Sequence, residues 1–166
     1  MEYLTLDLID LQLLAQLQRD ASLSNQELAE RVHTSPPTCL RRMKRLRDAG
    51  LIERQVAFIN PERLAQVIGH GLTALVEITL DRQDAAALEA FETRVVQDTA
   101  VQQCYRVSPG PDFCLVVHTR DMSDYQALTQ RLFTSDTNVR NVKAFFSIKR
   151  SKFGAELPLG GPFPHP

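Results

Sequence analysis

Ser35-Pro36-Pro37-Thr38-Cys39-Leu40-Arg41-Arg42-Met43-Lys44-Arg45-Leu46-Arg47-Asp48-Ala49-Gly50 is the stretch whose reading decides the fold. Five of the seven residues from 41 to 47 are basic, although the formal net charge of the protein is -1. The Ser35 hydroxyl suits an N-cap, and Pro36 falls where a missing N–H costs nothing. Leu40, Met43 and Leu46 recur every third residue, and Gly50 follows as a C-terminal stop. The spacing predicts a short helix with one apolar face and with Thr38, Arg41, Arg42 and Arg45 on the other. From charge alone a solvated surface helix is preferred to one that lies in DNA. The neighbouring segments decide between them.

Residues 7–19 set Ile9, Leu13, Leu14 and Leu17 at helical spacing. Leu8 and Leu11 fall off that stripe, as apolar surface for a broader contact within the domain or for a partner subunit. Ser24-Asn25-Gln26-Glu27 carries a capping-box pattern and opens a second helix that runs to about Val32, with Leu28, Ala29 and Val32 inward. His33-Thr34 leaves a brief turn before Ser35. Helix, helix, turn and basic helix is the helix-turn-helix order, in which the last element enters the major groove. After Gly50, residues 51–59 alternate as a strand, with Ile52, Arg54, Val56 and Phe58 on one side, as a small wing or a connecting strand.

Asn60-Pro61-Glu62 and the glycines at 69 and 71 mark a linker over 60–70. Beyond it the rhythm changes. Ala74, Val76, Ile78 and Leu80 share one face of a strand, and residues 84–96 are helical with Leu88, Phe91 and Val95 aligned. Strands follow at 101–107 and 113–118, separated by Pro109-Gly110-Pro111. Ser123 caps a helix bearing Tyr125, Leu128 and Leu132, and residues 139–149 alternate as a fourth strand. The order β-α-β-β-α-β is the ferredoxin-like pattern, with helices over one sheet face. The other face carries Leu75, Tyr105 and Phe145, too apolar for water, and a second copy of the chain is its simplest cover. From Glu156 the chain is rich in Pro and Gly and is expected to be flexible or draped on a partner.

Bulk composition, 43% hydrophobic and 23% charged, is that of a globular domain or two small ones. The longest apolar run, 113–117, is far too short for a membrane span, and no secretory leader is visible. Three widely spaced cysteines argue against a disulfide framework and for a reducing cytoplasm. Residues 1–60 hold as many acidic as basic side chains, so the DNA signal is the clustering within 41–47.

These pieces together resemble the Lrp/AsnC (leucine-responsive, feast/famine) family of prokaryotic transcription regulators. The residues carrying the likeness are Leu6-Asp7, Ile9-Asp10, Leu14, Leu17-Gln18, Asp20, Ser24-Asn25, Glu27-Leu28-Ala29 and Arg31-Val32. They continue with Ser35-Pro36, Cys39-Leu40, Arg42, Arg45-Leu46, Gly50-Leu51-Ile52 and Asn60-Pro61, and then Val76-Glu77-Ile78, Val107-Ser108, Asp112-Phe113, Asp121-Met122-Ser123 and Tyr125. The likeness implies an α+β chain with an N-terminal winged helix-turn-helix at 1–59 and a linker at 60–70. It further implies a ferredoxin-like βαββαβ (RAM/ACT-like) sensing and oligomerising domain at 71–152, followed by a Pro/Gly-rich tail at 153–166.

The implied function is sequence-specific, nucleoid-associated regulation of transcription in a prokaryotic cytoplasm, with no membrane and no cofactor. Its partners are double-stranded DNA, a small effector (an amino acid) and further copies of the chain as a dimer or up to an octamer. The DNA-binding residues are Ser35, Pro37, Thr38, Arg41, Arg42, Lys44, Arg45 and Arg47. The effector residues are Ser108, Gly110, Asp112, Val142 and Ala144, with Asp112 as the partner of an amino group.

The chain departs from the family at His33, where the turn often has Gly, at Pro109, where the effector loop usually has Gly, and at Val142 and Ala144, where hydroxyls are common. These changes favour an apolar ligand or an effector-independent, DNA-organising protein. Cys114 and His118, four apart on one strand, with Cys104 near by, permit a metal or nucleophile reading. No CxxC or fourth ligand supports it, and core packing is the simpler role. No acid–base pair, partnered nucleophile or phosphate loop suggests an enzyme.

Overall fold

The computed structural model describes residues 5–69 and 71–159. They divide into two compact units, residues 5–58 with 152–159, and residues 59–151.

The first unit holds three helices, α1 (Leu8–Arg19), α2 (Asn25–Arg31) and α3 (Pro36–Asp48). Each start is fixed locally. Asp7 and Asp10 form a reciprocal capping box on α1, Ser24 and Glu27 do the same on α2, and Ser35 caps α3 with Pro36 at its first position. His33, in the α2–α3 turn, has φ 53°, the left-handed conformation that a glycine would reach without strain. The core is Leu13, Leu28, Ala29, Val32, Cys39, Met43 and Leu46, with Ile9, Leu14, Leu17, Leu23 and Ile52 packed around it.

Residues 51–59 contain no strand among the described residues. The alternation there is real, but a strand needs a neighbour for its N–H and C=O groups, and the described residues of this unit offer none. Ile52 packs inward while Val56 and Phe58 stay exposed. The tail also departs from expectation, since its described part lies on its own chain. Gln18 donates to the Leu157 carbonyl (3.1 Å) and accepts from its N–H (2.7 Å), and Phe153 meets Phe58 edge-on at 5.4 Å. The expectation for residues 160–166 lies outside the described residues.

In the second unit the expected linker contains a helix, α4 (Pro61–Ile68), capped by the Asn60 side chain on the Arg63 N–H and stopped by Gly69 at φ 91°. Pro61 starts this helix instead of breaking the chain, because a first-turn proline sacrifices no hydrogen bond. The sheet follows: β1 (Leu72–Leu80), β2 (Val101–Arg106), β3 (Phe113–Thr119) and β4 (Val139–Phe146), antiparallel in the order β2-β3-β1-β4. Helix α5 (Ala85–Val95) connects β1 to β2. Helix α6 (Met122–Thr129), continued by a π-helical turn at Gln130–Thr134, connects β3 to β4. Asp121, not Ser123, caps α6.

Ala74, Val76, Ile78 and Leu80 of β1 and Phe113, Leu115 and Val117 of β3 face the helices. There they meet Phe91, Val95, Tyr125, Leu128, Leu132 and Phe133 in one core. Ion pairs fasten the helix ends: Asp98 to Arg131 (2.7 Å) and Asp136 to Arg94. The Arg131 guanidinium, against the opposing cost of burial, holds the Asp98 carboxyl below the usual carboxylate range. No described helix is long and apolar enough to cross a membrane.

Candidate nucleic-acid interface and effector loop

Helix α3 turns out slightly rotated from the sequence expectation. Its buried residues are Cys39, Met43 and Leu46, whereas Leu40 is 59% exposed. A series at every third residue drifts by about 60° per step around a helix. Spacings of four and three, as in 39-43-46, keep one face.

The rotation separates the basic side chains into two sets. Arg42 lies toward α1, its side chain only 19% exposed, and donates from Nη1 to Asp10 Oδ1 at 2.8 Å and to Asp7 Oδ2 at 2.7 Å. Arg45, less covered, donates to Asp10 Oδ2. Asp10 itself is completely buried. Its carboxylate also accepts the Asp7 N–H at 3.1 Å, so one side chain caps α1 and anchors two arginines of α3. The hydrogen bonds to Asp10 and Asp7 raise the Arg42 pKa further, while the Asp10 N–H and Arg42 keep Asp7 below its ordinary value. Arg42 therefore braces α3 instead of standing on its open face, contrary to expectation. In the sequence this leaves only a spacing, Asp7 and Asp10 three apart like Arg42 and Arg45, which does not by itself pair them.

The second set is free to face outward. Arg41, Lys44 and Arg47 are exposed beside Pro37 and Leu40. Thr38 is half-buried, with its hydroxyl accepting a hydrogen bond from Ser35 at 2.9 Å. The Asn25 amide donates to the Pro36 carbonyl at 2.8 Å, tying the start of α3 to the start of α2.

In the second unit the β2–β3 connection carries Ser108 and Gly110, both exposed, with Gly110 at φ 123°. Asp112 closes this loop onto β1. Its Oδ2 accepts from the Leu80 N–H (2.7 Å) and from Gln83 (3.2 Å), and its own N–H donates to the Ile78 carbonyl (2.8 Å). Val142 and Ala144 pair with Ile78 and Val76 across β4–β1. Cross-strand partners share a face, so both side chains pack toward the core.

The opposite sheet face is open. Leu75, Tyr105 and Phe145 are 52%, 54% and 53% exposed, and Leu75 lies in register with both Val116 and Phe145. Cys114 and His118 belong to this face, while Cys104, paired with Leu115, belongs to the covered one. The three do not converge. Burial pushes the Cys104 thiol up, the reverse of an activated nucleophile. His118 instead bonds Thr73 Oγ1 through Nδ1 at 3.0 Å, and its ring occupies the space that a Cβ on Gly71 would need, at 2.2 Å.

Comparison with known proteins places both units. Residues 6–53 match the family model for winged helix-turn-helix DNA-binding, and residues 73–157 match that of the Lrp/AsnC ligand binding domain. An HTH-type transcriptional regulator of Haemophilus influenzae is 36% identical, over 93% of this chain and 90% of its own length. The leucine-responsive regulatory protein of Rhizobium meliloti is 33% identical, over 93% and 96%. Among solved structures, a transcriptional regulator of Neisseria meningitidis in complex with L-Met superposes with a TM-score of 0.82 at 32% identity, covering 93% of this chain and 97% of that one.

Proposed function

The chain belongs to the Lrp/AsnC family of transcriptional regulators, and on that premise we propose that it is a dimeric operator-binding protein whose DNA affinity is set by an amino acid. The carrying observation is the outward face of α3, cationic at Arg41, Lys44 and Arg47 and held in place by buried Asp10. In this reading residues 1–59 are the reading head and residues 71–152 the sensing and assembling domain, in a prokaryotic cytoplasm on the nucleoid. Two heads related by a two-fold axis read half-sites about one helical turn apart. Ser35, Pro37 and Thr38, near the helix start, approach base edges, while Arg41, Lys44 and Arg47 meet phosphates and Arg45 stays paired with Asp10. Two open sheet faces, or more in higher assemblies up to an octamer, cover one another.

The effector sits at the loop carrying Ser108, Gly110 and Asp112, whose carboxylate receives the amino group. The L-Met complex of the Neisseria regulator supports an apolar amino acid. A ligand that prefers one arrangement of the subunits shifts operator affinity by its differential binding energy, about 1–3 kcal/mol in such systems. The test is operator titration in the presence of each of the twenty amino acids. An apolar one is expected to shift the Kd by about 5–150-fold. The shift should vanish in Asp112→Asn, which keeps an acceptor for the Leu80 N–H but loses the charge. If no amino acid shifts the Kd, the second reading, an effector-independent DNA-organising protein, takes its place. That reading draws on the bonds that already engage Asp112 and on the inward-facing Val142 and Ala144.

A further inference from the structure

Leu40 has no place in the core, yet it is an aliphatic side chain 59% exposed on the helix proposed to enter DNA. Its neighbours on that face are Pro37 one turn before it, and Arg41 and Lys44 beside and one turn after it, all exposed. No other described residue of the head covers it, because Cys39, Met43 and Leu46 already fill the contact with α1 and α2. Arg42 and Arg45 are directed to Asp10. The outward face is therefore apolar over Pro37 and Leu40, near its N-terminal end, and cationic from Arg41 onward. The N-terminal half of a recognition helix is the part that meets base edges. Among the groups that the major groove displays there, the apolar one is the thymine C5-methyl.

We infer that Leu40 is a specificity-determining residue that selects thymine in each half-site through contact with its methyl group. The inference rests on the DNA-reading function proposed above and adds to it the base that is read. Arg41 and Lys44, on either side, supply the attraction to phosphate that brings the apolar tip into the groove. Once there, contact with the methyl removes apolar surface of both groups from water. An alanine at 40 lacks the reach but keeps the helix, because the side chain contributes nothing to the buried core.

The test uses duplexes enriched from a random library by the purified full-length protein, with each thymine replaced in turn by deoxyuridine, which removes only the methyl. At one position per half-site the wild type should bind the uracil duplex about fourfold more weakly for a single methyl, and about 15-fold for the symmetric pair. Leu40→Ala should bind the thymine and uracil duplexes equally and melt at the wild-type temperature. Arg41→Ala should bind more weakly yet still discriminate. Equal binding of both duplexes by the wild type at every position, or persisting discrimination in Leu40→Ala, overturns the inference. A library from which no sequence is enriched overturns the DNA-reading function itself.

Discussion

Phe145→Asp is expected to convert the proposed dimer to a monomer and to lower operator affinity by about 10²–10⁴-fold. Phe145 lies beside Leu75 on the open sheet face, with Val116 on the other side of Leu75 and Tyr105 at the β2 edge. Such a row in water is a standing cost that a second copy removes. A carboxylate at its β4 end would be buried against apolar surface without a partner, and the interface cannot absorb that. The fold of the subunit should survive, because Phe145 faces away from the core formed by Val76, Ile78, Phe113 and Leu115. The DNA effect is larger than any single contact would give. Two linked heads bind as one, with the second engagement made intramolecular by the first. Light scattering on eluting protein reads the mass, and gel shift reads the affinity. A dimer that persists would move the interface elsewhere.

The other large effect is on stability. Arg42→Ala removes the most enclosed partner of a carboxylate with no solvent exposure, leaving Asp10 with Arg45 and the Asp7 N–H. Breaking one side of a buried ion pair costs about 3–5 kcal/mol, which in a head of this size lowers its melting temperature by ten degrees or more. Arg41→Ala, on the outward face, should leave the melting temperature within a degree or two while weakening DNA binding. The double replacement Asp10→Leu with Arg42→Met should recover most of the lost stability, since an apolar pair of similar volume replaces a buried ionic one at little cost. Arg42 Nε, buried without a hydrogen-bond partner, adds to that expectation. Calorimetry on the three proteins separates bracing from reading. A normal melting temperature in Arg42→Ala would return Arg42 to the DNA-contact set.

The parts of the fold legible in the sequence were those dictated by local rules. The Ser24 and Ser35 caps, the Gly50 stop and the alternation of Ala74, Val76, Ile78 and Leu80 follow from side-chain chemistry within a few residues. The misreadings share another cause. Residues 51–59 alternate like a strand, but strand formation depends on a partner the local pattern does not reveal. Pro61 fits a linker as well as a helix start because a proline is punctuation in both directions, and Asn60 as a cap tips it toward a start.

In the site, clustering located α3, but the division of its arginines needed the third dimension. Asp10 reads locally as an ordinary first-turn acid, and only packing shows Arg42 and Arg45 converging on it. Leu40 was assigned to the core for a similar reason, a spacing near enough to helical to pass. Val142 and Ala144 were aligned with the effector loop by likeness, whereas β-sheet alternation turns them inward.

The central claim, that the α3 face reads DNA through Arg41, Lys44 and Arg47, is tested most directly by the salt dependence of binding to a library-enriched duplex. Three phosphate contacts on each of two heads give a plot of log affinity against log salt with a slope of about -5. Replacing Lys44 by alanine removes one contact per head and should bring the slope to about -4, with the melting temperature unchanged. A slope near zero, or one that Lys44→Ala leaves untouched, would contradict the assignment of this face to DNA.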